Sequence, residues 1–277
     1  VVDGVHQYTA FYRELSEQLG KGTGWTWSAH AMGYNFYGLF CYYLCSPFSF
    51  LILLFMKFMY VNEAITAVIL IKAGLCSVSM AWYSGKKYPG RGSMAVSLGC
   101  MYALSDFLIG YYSNVMWLDC IMLLPVLAYL IEQLVHTGKW RGYCLVLGYC
   151  ILTSYYMGFM LCIFAAFYYL AELAAAESGR RPEKIRFSLL KFAGASVAGA
   201  GLAGITLIPG IAAVFRTAAA EEAGTGLSGV YGDIWKQLGA LFEDSLSFVK
   251  SGDQGDVNLY CGCAVLLFAG IYFLNKE

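Results

Sequence analysis

The sequence predicts an all-α, polytopic membrane protein with about seven transmembrane helices and short interfacial helices in an N-terminal extracellular loop. Three observations predict it. First, 59% of the 277 residues are hydrophobic and only 13% charged, with a mean hydropathy of +0.60, whereas soluble domains carry about 25% charged residues. Second, apolar runs of spanning length recur along the chain. Third, the linkers between them are alternately basic and not basic, as the positive-inside rule requires of a chain that threads a bilayer repeatedly. The 22 Tyr and 6 Trp suit the two headgroup layers that such a chain must cross.

From Asp3 to Gly20 the apolar residues Val5, Tyr8, Phe11, Tyr12, Leu15 and Leu19 recur at helical spacing, while His6, Arg13, Glu14 and Glu17 take other faces. This is the pattern of an amphipathic helix lying on a membrane surface. The next segment, 36–60, has spanning length but is interrupted by Pro47 in an SPF break and carries Lys57 near its end. If it spans, the N-terminus lies inside; if its halves are two short interfacial or re-entrant helices, as their length favours, the N-terminus lies outside.

The spans are expected at Val61–Ser84, Gly92–Tyr112, Trp117–Val135, Tyr143–Ser154, Met157–Ala176, Phe187–Val214 and Val257–Leu274, with the fourth and fifth separated by a tight hairpin at TSYYMG. KKYPGR (86–91), HTGKWR (136–141) and GRRPEKIR (179–186) are the basic linkers and belong to the cytoplasm. SNVMWLD (113–119), TSYYMG (153–158) and the acidic, Gly-rich loop 215–256 then lie outside. The expected organisation is an extracellular loop over 1–60, a helical bundle over 61–214, a second extracellular loop over 215–256 and a last helix over 257–277. A start without Met and an end just after an apolar run read as a piece cut on both sides.

Composition also excludes some classes. A net charge of +0 gives no field for nucleic acid. No GxxxxGK[ST] loop is present, which disfavours direct use of ATP or a nucleotide sugar. The ten Cys lie mostly in apolar runs without a CxxC pair, and none of the three His is spaced for a metal site.

DGVHQYTAFY, MGYNFYGLFCYYLCSPFSFL, NVMWLDCIMLLPVLAYLIE, TSYYMGFM and VNLYCGCAVLLFAGIYFLN resemble, in this order, the successive blocks of the bacterial YfhO family of multi-pass membrane proteins. The resemblance covers nearly the whole chain. It implies a GT-C-like fold and a GT-C type glycosyltransferase. Such an enzyme takes a sugar from a polyprenyl-phosphate donor at the outer face of the bacterial cell membrane and adds it to an envelope glycopolymer such as lipoteichoic acid. It further implies a transmembrane helix immediately before Val1, and residues 3 to about 60 in the first extracellular loop.

Sugar transfer from a lipid phosphate needs a base for the acceptor hydroxyl and polar or cationic groups for the leaving phosphate. The resemblance puts Asp3 at the position of the base; spacing alone makes it the N-cap of the first helix, and the two roles are compatible. His6, one turn on, either orients Asp3 and touches the phosphate or is a polar surface group. Gln7 and Tyr8 have hydrogen bonds to offer sugar hydroxyls, with an interfacial anchor as the other reading of Tyr8, and Asn35 is either a sugar ligand or a helix cap. Asp119, at the outer end of its span, either binds a divalent cation, positions the acceptor or shares the base role, or else serves the helix dipole. No cofactor is otherwise expected. Tyr155 and Tyr156 form either a sugar platform or part of an aromatic belt. Arg216 is placed for a lipid phosphate or as an interfacial anchor. Lys72 and Asp106 fall within spans, where a charge costs roughly 2.5–3.5 kcal/mol, so both should face the protein interior and pair with each other. The functional alternative has Lys72 reaching for the carrier phosphate. Two rival functions remain: a transporter or flippase of a lipid-linked precursor, motivated by Lys72 and Asp106, and a non-catalytic scaffold.

Overall fold

The computed structural model describes residues 7–21, 28, 35–176, 182–214, 267 and 271. Its elements are helices: α1 (Thr9–Lys21), α2 (Phe36–Leu39) continued by a π turn (Phe40–Leu44), α3 (Pro47–Phe55), α4 (Val61–Lys87), α5 (Gly92–Ala103), α6 (Asp106–Tyr111), α7 (Leu118–Thr137), α8 (Arg141–Thr153), α9 (Tyr155–Ala176), α10 (Pro182–Leu202) and α11 (Gly204–Val214). The chain divides into two compact units. The first holds all of these helices except α6, which belongs to the second; the remaining described residues of the second unit are 104, 105, 267 and 271.

Among the described residues four helical stretches are long and apolar enough to cross a bilayer: Val61–Lys87, Gly92–Tyr111, Leu118–Thr137 and Tyr155–Ala176. Two bent pairs raise the number to six if each is one span: Phe36–Leu44 with Pro47–Phe55, bent by 96°, and Phe187–Leu202 with Gly204–Ala213, bent by 68°. The lipid-facing side chains are large and apolar, including Leu70, Val78, Phe159, Phe167 and Leu190. These features make the chain an all-α polytopic membrane protein.

The sequence expectation needs two adjustments. The predicted span Tyr143–Ser154 is the 13-residue α8, about 20 Å long and too short to cross roughly 30 Å of hydrocarbon. Phe187–Val214 is broken after Leu202 rather than continuous. The last predicted span, Val257–Leu274, lies outside the described residues apart from 267 and 271.

α4 is the axis of the first unit. The Tyr60 N–H donates to the Glu63 carboxylate at 2.9 Å, and Lys86 and Lys87 occupy the last turn, so both ends carry charges of the sign the helix dipole favours. α7 runs parallel to α4, tied to it at Lys72–Asp119 and again at Lys87–Glu132. The first tie lies about 16 Å along α4 from Val61, yet involves the first turn of α7. α7 therefore opens near the middle of α4, and α1 and α3 cover the part of α4 that extends beyond it. α8, α9 and α10 complete the packing. α8 and α10 meet backbone to backbone: a Cβ at Gly148 would lie 3.0 Å from the Gly199 carbonyl oxygen, the close approach that small residues permit between membrane helices.

Candidate functional site

The segment 35–55 forms an elbow whose corner is set by three local signals. Asn35 caps α2, its side chain accepting from the Gly38 N–H at 3.2 Å. Ser46 caps α3, accepting from the Phe48 N–H at 3.2 Å, with Pro47 preorganised in the first turn. The 96° bend between the two arms excludes a single straight span.

The Ser46 corner reaches the Lys72–Asp119 ion pair. Both side chains are completely buried. Asp119 Oδ1 accepts from Ser46 Oγ at 3.0 Å and from the Tyr149 hydroxyl at 2.9 Å, while Oδ2 takes Lys72. Lys72 Nζ also donates to the Val115 carbonyl at 2.9 Å and stands 5.0 Å from the centre of the Phe48 ring. Five parts of the chain therefore converge here: the elbow, α4, the strand-free turn before α7, α7 itself and α8. Burying two charges costs several kcal/mol per ion unless their partners are complete, and here both carboxylate oxygens and the ammonium are engaged. A carboxylate so enclosed, with both oxygens taken by protein donors, ties these five segments together.

α1 seats on this elbow. Tyr8, Tyr12 and Leu15 are buried in one cluster with Phe36, Leu44, Ile52, Val68 and Val115. The Tyr12 hydroxyl lies 3.4 Å from Ser49 Oγ, and Thr9 Oγ1 donates to Asn62 Oδ1 at 2.7 Å. Burial pushes both Tyr8 and Tyr12 well above the ordinary phenol value, so both stay neutral; Tyr12 anchors α1 through Ser49, whereas Tyr8 anchors it by burial of its ring, its hydroxyl having no hydrogen-bond partner among the described residues.

The expected site residues are distributed as follows. Asp3, His6 and Arg216 lie outside the described residues. Gln7 is exposed just ahead of α1. Asn35 is an exposed cap, its carbonyl oxygen engaged by the backbone. Tyr155 turns inward, its ring 5.3 Å from that of Tyr42; a Cβ at Gly210 would come within 3.0 Å of it, so α11 closes over the ring. Tyr156 is 43% exposed and stacks on Trp117 at 5.8 Å, so it is the member of the pair that a sugar can reach.

Two expectations are corrected. Lys72 pairs with Asp119, not with Asp106, which opens α6; the depth of Lys72 is met by α7 starting deep. Asp119 is not a surface carboxylate available to a divalent cation, because its donors are one ammonium and two hydroxyls. Among the described residues no group of three or more His, Cys, Asp or Glu side chains is gathered to hold a metal. Ser46 and Tyr149 are not among the expected site residues: Ser46 has a readable signal in its position before Pro47, whereas Tyr149 has none.

No curated protein and no solved structure matches the chain. One family model, described as bacterial membrane protein YfhO, matches residues 1–277. Helices of spanning length agree with a membrane protein, and the match over residues 1–277 shows the family: the chain belongs to the YfhO family of bacterial membrane proteins.

Proposed function

We propose that the chain is the membrane part of a GT-C type glycosyltransferase that moves a sugar from a polyprenyl-phosphate carrier to an envelope glycopolymer such as lipoteichoic acid, at the outer face of the cell membrane. Family membership supports the class. The observation that carries the reading is the seat of α1: Tyr8, Tyr12 and Leu15 are at most 2% exposed, and they fix the helix that begins at Thr9, six positions after Asp3 in sequence. That helix packs at the end of α4 opposite the basic linkers, the end that the positive-inside rule assigns to the exterior.

In this reading Asp3 takes the proton from the acceptor hydroxyl as the sugar leaves the carrier phosphate. Arg216 and His6 offset the charge that develops on that phosphate. Gln7, Asn35 and the exposed Tyr156 offer hydrogen bonds and a ring face to the sugars. Lys72 and Asp119 act through position, holding the elbow on which α1 rests.

The test is Asp3→Asn in the intact protein in its own cells, with glycan on the acceptor polymer measured beside the amount of inserted protein. The expected result is normal insertion with glycan reduced by about 100-fold or more, the usual contribution of a positioned base. Unchanged glycosylation removes Asp3 from the mechanism. Glycan loss confined to inserted Lys72 or Asp106 variants would favour transport of a lipid-linked precursor instead.

A further inference from the structure

At the basic end of the bundle the chain turns from α7 into α8 through Gly138, whose φ of 73° lies in the left-handed region. A cavity of about 610 Å³ opens at this corner, within the roughly 300–1,000 Å³ typical of small-ligand sites. Tyr129 and Gln133 of α7 form one wall, and Lys139, Trp140 and Arg141 form the other. Its lining includes two cations and no acid. Neither Lys139 nor Arg141 has an ion-pair partner among the described residues. The nearby Glu132 is already held by Tyr83, Tyr168 and Lys87. A third cation stands behind the corner: Lys191 Nζ donates to the Gly138 carbonyl at 3.2 Å and lies 4.7 Å from the centre of the Phe187 ring. Trp140 provides no side-chain cap for α8, so the first amides of that helix add to the positive potential.

These features call for an anion, and the surroundings say which kind. Trp140 is 39% exposed, and Leu145, one turn along α8 from Arg141, is 63% exposed, so large apolar surface adjoins the cations. A ligand with a negatively charged head and an apolar tail satisfies both, whereas a free anion uses only the cations. We propose that the α7–α8 corner binds the phosphodiester headgroup of an anionic phospholipid, with Lys139 and Arg141 on the phosphate, Gln133 and Tyr129 as polar partners, and the acyl chains running down α8. Basic pockets between membrane helices are suited to this chemistry.

Native mass spectrometry of the intact protein in detergent tests it, with phosphatidylglycerol and phosphatidylcholine of identical acyl chains as probes. The wild type should retain phosphatidylglycerol in preference. The Lys139→Gln/Arg141→Gln double variant should lose roughly 30-fold of that retention, the effect of removing two cations worth about 1 kcal/mol each. Lys57→Gln, an exposed cation in the turn before α4, should leave it unchanged. Equal retention of the two lipids by the wild type, or unchanged retention by the double variant, overturns the proposal. Displacement of the lipid by excess inorganic phosphate also overturns it, since the site would then be one for soluble anions. Should the double variant not fold, the wild type still decides: its preference for phosphatidylglycerol must weaken as salt rises, and a salt-independent preference refutes the assignment.

Discussion

Two lysine–carboxylate pairs tie α4 to α7, and their chemical composition is nearly the same. Asp119 takes Lys72 and the hydroxyls of Ser46 and Tyr149; Glu132 takes Lys87 and the hydroxyls of Tyr83 and Tyr168. They differ in water. The first pair is wholly buried, whereas Lys87 and Glu132 keep 36% and 16% of their side-chain surface exposed. The first also spreads its donors over both carboxylate oxygens, while all three donors of the second converge on Oε1. Equal composition thus gives unequal consequences: the buried pair must be complete, and the exposed one can lose a member to solvent.

The largest effect should come from Lys72→Met, which leaves the Asp119 carboxyl buried without its ion partner. Thermal unfolding in detergent should show a loss of about 3–5 kcal/mol. Adding Asp119→Leu should recover most of it, because the desolvated charge goes with its partner; failure to recover would mean that the pair is needed for its geometry rather than its neutrality. Ser46→Ala comes next, at about 1–2 kcal/mol, since it removes both the cap of α3 and one donor to Asp119. Limited proteolysis should then find the elbow more susceptible while α9 stays protected. Lys87→Met should be the smallest, within about 1 kcal/mol, and raising salt should weaken the Lys87 contribution in the wild type while leaving that of Lys72 unaffected. A large, salt-independent Lys87 effect would break the contrast between the two pairs.

How far these features could be read from sequence depended on whether the signal was local. α4, α7 and α9 were legible because a long apolar run can satisfy its backbone only as a helix. The break at Pro47 and the separation of α8 from α9 at Ser154 were legible for the same local reason, a proline in one case and a polar cluster with Gly158 in the other. The kink after Leu202 was not, because AGAGLAG reads equally as a flexible stretch or as close helix packing. In the candidate site, cost alone predicted that Lys72 faces inward, but its partner was misassigned. Hydropathy finds spans without saying which are neighbours, and Asp119 beside Trp117 reads as a surface acid because nothing local shows that α7 starts at the level of Lys72. Tyr149, 30 positions from Asp119, offered no periodic or motif signal.

The Lys72–Asp119 pair also constrains how the protein is made. Its members are separated by 47 positions, and Ser46 waits 73 positions for the same carboxylate. At roughly 5–20 residues per second, α4 is synthesised several seconds before Asp119 exists. During that interval its lysine enters the membrane-insertion machinery uncompensated, and apolar neighbours such as Val68, Ile69, Leu70 and Ile71 must carry it. The elbow can lock only after α7 arrives, so the seat beneath α1 is completed by residues that follow it by more than 70 positions.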